Sequence, residues 1–196
     1  NQELVRWFAD RAIEYVHKNP RPVTYSLSPS DGGGWSRSPE SVALYDPSPS
    51  NLFDPEAPAG HPGMSSLVLK WYHDVASEVQ KKAPDVRLAG YIYATYVYPP
   101  TKVDMKLPDN FTPVICGIGT YGYGLYRKEN RERWMEVIPA WEKVAPKEWY
   151  YYDLPNQFLR QHDYEIGSGY NFPGSTGIVS TAAPELLDFL FPKLLE

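Results

Sequence analysis

The chain alternates between two hydrophobic periods. Leu4, Phe8, Ala12 and Tyr15 recur at helical spacing, which predicts a helix over residues 1–18 that Asn19-Pro20 stops. The run "VTYSLS" (residues 23–28) reads as a first strand, and residues 30–62 as a long loop rich in Pro, Ser, Gly and Asp. Ser65 or Ser66 can cap a second helix whose apolar face is Val68, Trp71, Tyr72, Val75 and Val79, ended by Ala83-Pro84-Asp85. "VRLAGYIYA" (86–94) predicts a second strand, after which "YVYPPTKV" turns away. "TPVICGIG" (112–119) predicts a third, followed by the glycine-aromatic loop "TYGYGLY". Residues 129–144 read as a helix with Trp134, Val137, Ile138 and Trp141 on one side. "EWYYYDLP" (148–155) reads as a fourth strand, "TGIVSTA" (176–182) as a short fifth, and Pro184 opens a last helix containing Leu186, Leu187, Leu190 and Leu194.

Strands alternate with helices, and the long loops follow strands. That is the pattern of a parallel α/β protein, in which sites form from the loops after the strands. About five strands are read, whereas a closed (β/α)8 barrel needs eight. The expectation is one α/β domain over residues 1–196: either part of a TIM-barrel-like fold of about five strand–helix units, or a smaller open sheet.

Composition narrows the partners. A net charge of −5 over 196 residues argues against a nucleic-acid surface, which needs a basic stripe. No apolar run approaches the roughly 18 residues of a membrane helix. No leader is visible and the first residue is Asn1, so the chain reads as a mature product or a piece of a longer protein. The lone Cys116 lies in an apolar strand and reads as a buried thiol; it excludes an internal disulfide and a multi-thiolate metal site. His61 and His162 have no second ligand at metal spacing. "GIGTYGYG" lacks the features of a phosphate loop and "GSGYNFPGS" is no nucleophile elbow. No metal or cofactor is therefore assigned.

The stretch "SLSPSDGGGW" places Asp31 where a strand ends, followed by three glycines and Trp35. Asp-Gly is ordinary turn chemistry, but Gly-rich backbone beside an aromatic also suits a rim that a ligand approaches closely. The chain holds 16 tyrosines and 6 tryptophans, many near predicted strand ends. Such rings stack on flat ligands and sugar faces, or simply pack.

"SLSPSDGGGW", the "PES" that follows, and "WYYYDLP" together resemble a bacterial domain of unknown function, number 4838, found in large glycoside-hydrolase-like proteins. The resemblance covers the chain from its first helix to its last strand. It implies a TIM-barrel region acting on a polysaccharide or glycan, distantly similar to α-glucuronidases and hexosaminidases. It also implies a secreted, periplasmic or cell-surface setting and other domains of a longer chain as partners. Members often carry cysteines just after the Gly-rich step, where this chain has Ser36, Ser38 and Ser41. Glycoside hydrolysis uses two carboxylates around the scissile bond. On this resemblance Asp31 and Asp153, both at strand ends, are the catalytic candidates. Trp35, Tyr93, Tyr121, Tyr123 and Tyr151 are the candidates for stacking on carbohydrate.

Overall fold

The computed structural model describes residues 1–30, 34–49, 62–92, 94–116, 128–145 and 148–152. The first helix, α1 (Gln2–Lys18), starts where the Asn1 side chain accepts hydrogen bonds from the Glu3 and Leu4 amides, and stops at Asn19 before Pro20. Its buried residues are Val5, Ala9 and Ala12. The expected stripe of Leu4, Phe8, Ala12 and Tyr15 is therefore rotated. Leu4 and Tyr15 are exposed at 48% and 54%. Two alanines on the packed face let α1 approach closely, and hydrophobic residues are not obliged to be inside.

The chain then enters β1 (Tyr25–Ser26), which is only two residues long in the ladder. Residues 30–62, expected as loop throughout, contain a four-residue helix, α2 (Pro39–Val42), and a strand, β2 (Asp46–Pro49). Ser38-Pro39 explains the helix: the Ser38 hydroxyl caps the Ser41 amide and proline occupies the first turn. β2 pairs antiparallel with β3 (Pro62–Gly63).

α3 (Ser65–Lys82) follows directly. Ser65 and Ser66, expected as caps, lie inside the first turn and are buried; Met64 holds the cap position and offers no side-chain bond. The start of the helix is instead satisfied from a distant segment. The Asp46 carboxylate accepts from the Ser66 amide at 2.8 Å.

Three further strands complete the main sheet: β4 (Leu88–Ile92), β5 (Phe111–Cys116) and β6 (Tyr150–Tyr152). The order is β1-β4-β5-β6 and every pairing is parallel. β4 is shorter than the expected 86–94, because Ala94–Tyr96 form a 3-10 turn. α4 (Lys128–Val144) joins β5 to β6 and buries Val137 and Trp141; the side chains of Trp134 and Ile138 lie outside the described residues. Pro113 sits inside β5, a central strand, where proline is normally excluded. The Leu88 amide bonds to the Asn110 carbonyl. That bond directs the even-numbered backbone groups of this stretch toward β4, so the Pro113 nitrogen lies on the β6 side, one residue before pairing with β6 begins at Val114.

No α-helix occurs among the described residues between β4 and β5, which corrects the expectation of regular strand–helix units. An irregular segment takes the helix's place. Val97 and Leu107 are buried, the Trp141 indole donates to the Val97 carbonyl, and the Leu107 amide donates to the Val144 carbonyl. The polar demands of the segment are thus partly met by α4.

Side-chain alternation sorts the two faces of the sheet. Leu88, Ile92, Phe111 and Ile115 are buried together with Tyr72 of α3 and Trp141 of α4 in one core. On the opposite face, Tyr91 pairs with Val114 and Val114 with Tyr150; the two tyrosines are 40% and 59% exposed. The described protein is therefore an α/β fold with a small parallel sheet. The expected fifth strand and last helix lie outside the described residues.

Candidate functional site

Parallel pairing puts the carboxyl ends of all four strands along one edge of the sheet, and among the described residues the segments after β1 and β4 build a rim there. At β1 the Ser28 hydroxyl accepts from the Tyr91 amide at 3.0 Å and from the Ser26 hydroxyl at 3.0 Å, so the ladder continues through a side chain. Gly34 then stands in open space, and Trp35 packs half-buried against the core. The Trp35 and Tyr96 rings meet edge to face, with centroids 5.8 Å apart and planes at 80°. This contact joins the loop after β1 to the loop after β4.

Beyond Trp35 the loop is held by hydroxyls. The Ser41 hydroxyl lies 2.9 Å from that of Ser36 and 3.2 Å from that of Ser38, and the Tyr45 hydroxyl donates to the Ser36 carbonyl at 2.6 Å. The three serines that stand at the expected cysteine positions thus form one hydrogen-bonded group. Glu40 sits beside them. Its own backbone N–H, and then the Ser38 hydroxyl, hold its carboxyl below the usual carboxylate value.

The loop ends at Asp46, which is 2% exposed. One carboxylate oxygen accepts from the Ser66 hydroxyl at 2.7 Å and from the Thr101 amide and hydroxyl at 2.8 and 2.7 Å; the other takes the Ser66 amide. The Ser66 hydroxyl in turn accepts from the Lys102 amide at 2.9 Å. On the other loop, the Thr95 carbonyl accepts from the Met64 amide at 2.7 Å. No cluster of three metal-ligating side chains occurs among the described residues.

Of the residues singled out from sequence, Trp35 is on this rim, with Tyr96 as its aromatic neighbour. Tyr151 lies in β6 opposite Ile115 in register. Asp31, Tyr93, Tyr121, Tyr123 and Asp153 lie outside the described residues. Cys116 is buried, as its apolar strand implied. Sequence reasoning missed Asp46, Tyr96 and Thr101, and read Ser66 only as a helix cap. Tyr96 carried the aromatic signal used for its neighbours. Asp46 carried none, because its partners are 20 and 55 residues away.

The fold and rim define an α/β protein whose candidate site lies at the carboxyl edge of a parallel sheet. The family described as Domain of unknown function (DUF4838) matches residues 1–163, and the chain belongs to that family. No curated protein and no solved structure matches the chain. No described helix is long and apolar enough to cross a membrane.

Proposed function

We propose that the chain forms the glycan-recognising side of a TIM-barrel-like, glycoside-hydrolase-like fold that acts on a polysaccharide or glycan outside the cytoplasm. The observation that carries this reading is the winding of the sheet. The strands run in sequential order, all parallel, with α3 and α4 contributing to a core on one face. A doubly wound sheet reverses its strand order and covers both faces; a barrel is wound one way with its helices outside. The face bearing the exposed rings of Tyr91 and Tyr150 then corresponds to a barrel interior, which further strands would enclose. In such barrels chemistry belongs to the loops at the carboxyl edge, where Trp35 meets Tyr96.

On this reading Asp31, in the loop after β1, is an acid or a ligand for sugar hydroxyls. Asp153, the residue after β6, is its partner. Trp35, Tyr93, Tyr121, Tyr123 and Tyr151 form subsites, and stacking needs no cofactor. A panel of polysaccharides and aryl glycosides tests it with the parent chain, Asp31→Asn and Asp153→Asn. Turnover in the parent that falls by orders of magnitude in either variant, with binding retained, is the expected result. Unchanged turnover in both variants removes the pair.

A second reading is a non-catalytic carbohydrate-binding or scaffold domain of a larger protein. It draws on the same aromatic corner of Trp35 and Tyr96, which can hold a sugar without an acid of raised pKa. Sugar binding without turnover in the parent favours this reading.

A further inference from the structure

We infer that Asp46 is a positioning residue, whose buried carboxylate locks the loop after β1 and the loop after β4 to the first turn of α3. The Trp35–Tyr96 corner then stands formed before a ligand arrives. The role rests on the reading of the rim as a glycan site. The lock itself rests on geometry alone.

Asp46 takes four donors from two segments, Ser66 at the start of α3 and Thr101 after β4, all within 2.8 Å. No ammonium or guanidinium is among these donors. The charge is met by oriented dipoles: two backbone amides, two hydroxyls and the amino end of an 18-residue helix. Such a network depends on both oxygens of the side chain accepting. The Ser66 and Thr101 amides each donate to a different oxygen of Asp46, and neither amide can turn round. An asparagine has one acceptor oxygen, so its amide nitrogen would have to face one of those two N–H groups. A buried donor would lose its partner, which is the costly way to break a hydrogen bond.

The lock reaches the aromatic corner from both sides. Tyr45, adjacent to Asp46, donates to the carbonyl of Ser36, the neighbour of Trp35. Thr101 lies five residues beyond Tyr96, in a segment that Met64 and Trp141 also hold. Asp46 therefore ties the less supported loop to the better supported one.

Backbone hydrogen exchange on the full chain, without ligand, tests the lock in the parent, Asp46→Asn and Thr101→Val. In Asp46→Asn, residues 35–46 and 95–102 are expected to exchange at least about tenfold faster, while residues 88–92 and 111–116 keep parental rates. Thr101→Val, which removes one hydroxyl donor, is expected to give a smaller rise confined to 95–102. It decides the matter alone if Asp46→Asn does not fold. Parental rates in both loops of both variants, or a rise spread equally over the sheet, would overturn the lock. The same proteins are titrated with an oligosaccharide panel. Binding at least about tenfold weaker in Asp46→Asn, measured well below the melting temperature of the variant so that the protein is folded, supports positioning, and unchanged affinity overturns it. A parent that binds no oligosaccharide defeats the glycan reading, while the exchange rates still decide whether the lock exists.

Discussion

The ring of Tyr72 occupies the space that a side chain on Gly90 would need. A Cβ at Gly90 would stand 2.4 Å from Tyr72 Cζ and 2.8 Å from two further ring atoms. Tyr72 is fully buried, donates its hydroxyl to the Tyr91 carbonyl at 2.9 Å, and tilts against Phe111. The ring cannot retreat without breaking that bond or opening the α3–sheet interface. Gly90→Ala is therefore expected to destabilise the protein by about 1–3 kcal/mol, the usual range for overpacking a core. Tyr72→Phe, which keeps the ring and drops the hydroxyl, is expected to cost about 1 kcal/mol. Urea unfolding measures both; a Gly90→Ala midpoint equal to that of the parent would show that the ring moves freely.

Glu40 offers a pH-dependent readout of the rim loop. Its folded carboxyl is lowered first by its own backbone N–H and then by the Ser38 hydroxyl. A lowered folded value means a contribution to stability present above the unfolded carboxylate range and lost as pH falls through the folded value. Ser38→Ala is expected to move the Glu40 titration part of the way back up, since the larger cause remains. It also removes the cap of α2. A carboxyl-carbon NMR titration of Glu40 in the two proteins checks this, and identical midpoints would contradict the role given to Ser38.

The opposite sign applies to Lys82, whose ammonium is held above the usual lysine value by hydrogen bonds to Asp10 and then Glu78. Its contribution is complete below the unfolded lysine range and disappears as pH rises through the folded value. Lys82→Met is therefore expected to flatten the alkaline limb of the stability–pH curve. The Lys82–Asp10 bond joins α3 to α1, but both groups are solvated, so the effect is small. Chemical unfolding across the alkaline range measures it, and an alkaline limb as steep as the parent's would remove Lys82 as its source.

What was legible in the sequence depended on the range of the interaction. Helices α1, α3 and α4 follow from local periodicity, and Asn19-Pro20 and Ala83-Pro84 end the first two as written. β4 and β5 follow from short apolar runs. Ala12 was read on the buried side of α1, but Leu4 and Tyr15 were chosen over Val5 and Ala9, because the small Ala9 carries little hydrophobic signal although its size suits a packed face. α2 was hidden in a polar loop, although Ser38-Pro39 is a helix start. The irregular crossover between β4 and β5 could not be read, because Trp141 and Val144 on α4 hold it. Asp46 was invisible for the same reason: a carboxylate before a proline looks like loop until Ser66 and Thr101 are brought to it.

The serine group after Trp35 makes a further test. The hydroxyls of Ser36 and Ser41 are 2.9 Å apart. Sulfur extends further from Cβ than oxygen, so two thiols on these positions fall within reach of the roughly 2.05 Å disulfide bond. Ser36→Cys with Ser41→Cys is expected to form a bond on mild oxidation while buried Cys116 stays reduced. Mass spectrometry under non-reducing conditions shows a loss of two hydrogens if it does. Two free thiols after oxidation would mean that the backbone holds the pair apart.

Trp35 is where packing and ligand contact make different demands. Its edge-to-face pairing with Tyr96 contributes about 0.5–1.5 kcal/mol beyond burial. If that were its whole role, Trp35→Phe would keep most of the stability and all of any binding. If the indole is also the floor of a sugar subsite, Trp35→Phe narrows the stacking face, and Trp35→Ala removes it. Our reading predicts that Trp35→Ala lowers stability by about 2–3 kcal/mol, less than the usual cost of a fully buried tryptophan because the residue is half-buried. It also predicts that oligosaccharide affinity falls about tenfold or more in Trp35→Ala and by a smaller factor in Trp35→Phe. Urea unfolding and calorimetric titration on the same preparations separate the two effects. A Trp35→Ala protein that is destabilised but binds as tightly as its parent would assign Trp35 to packing alone.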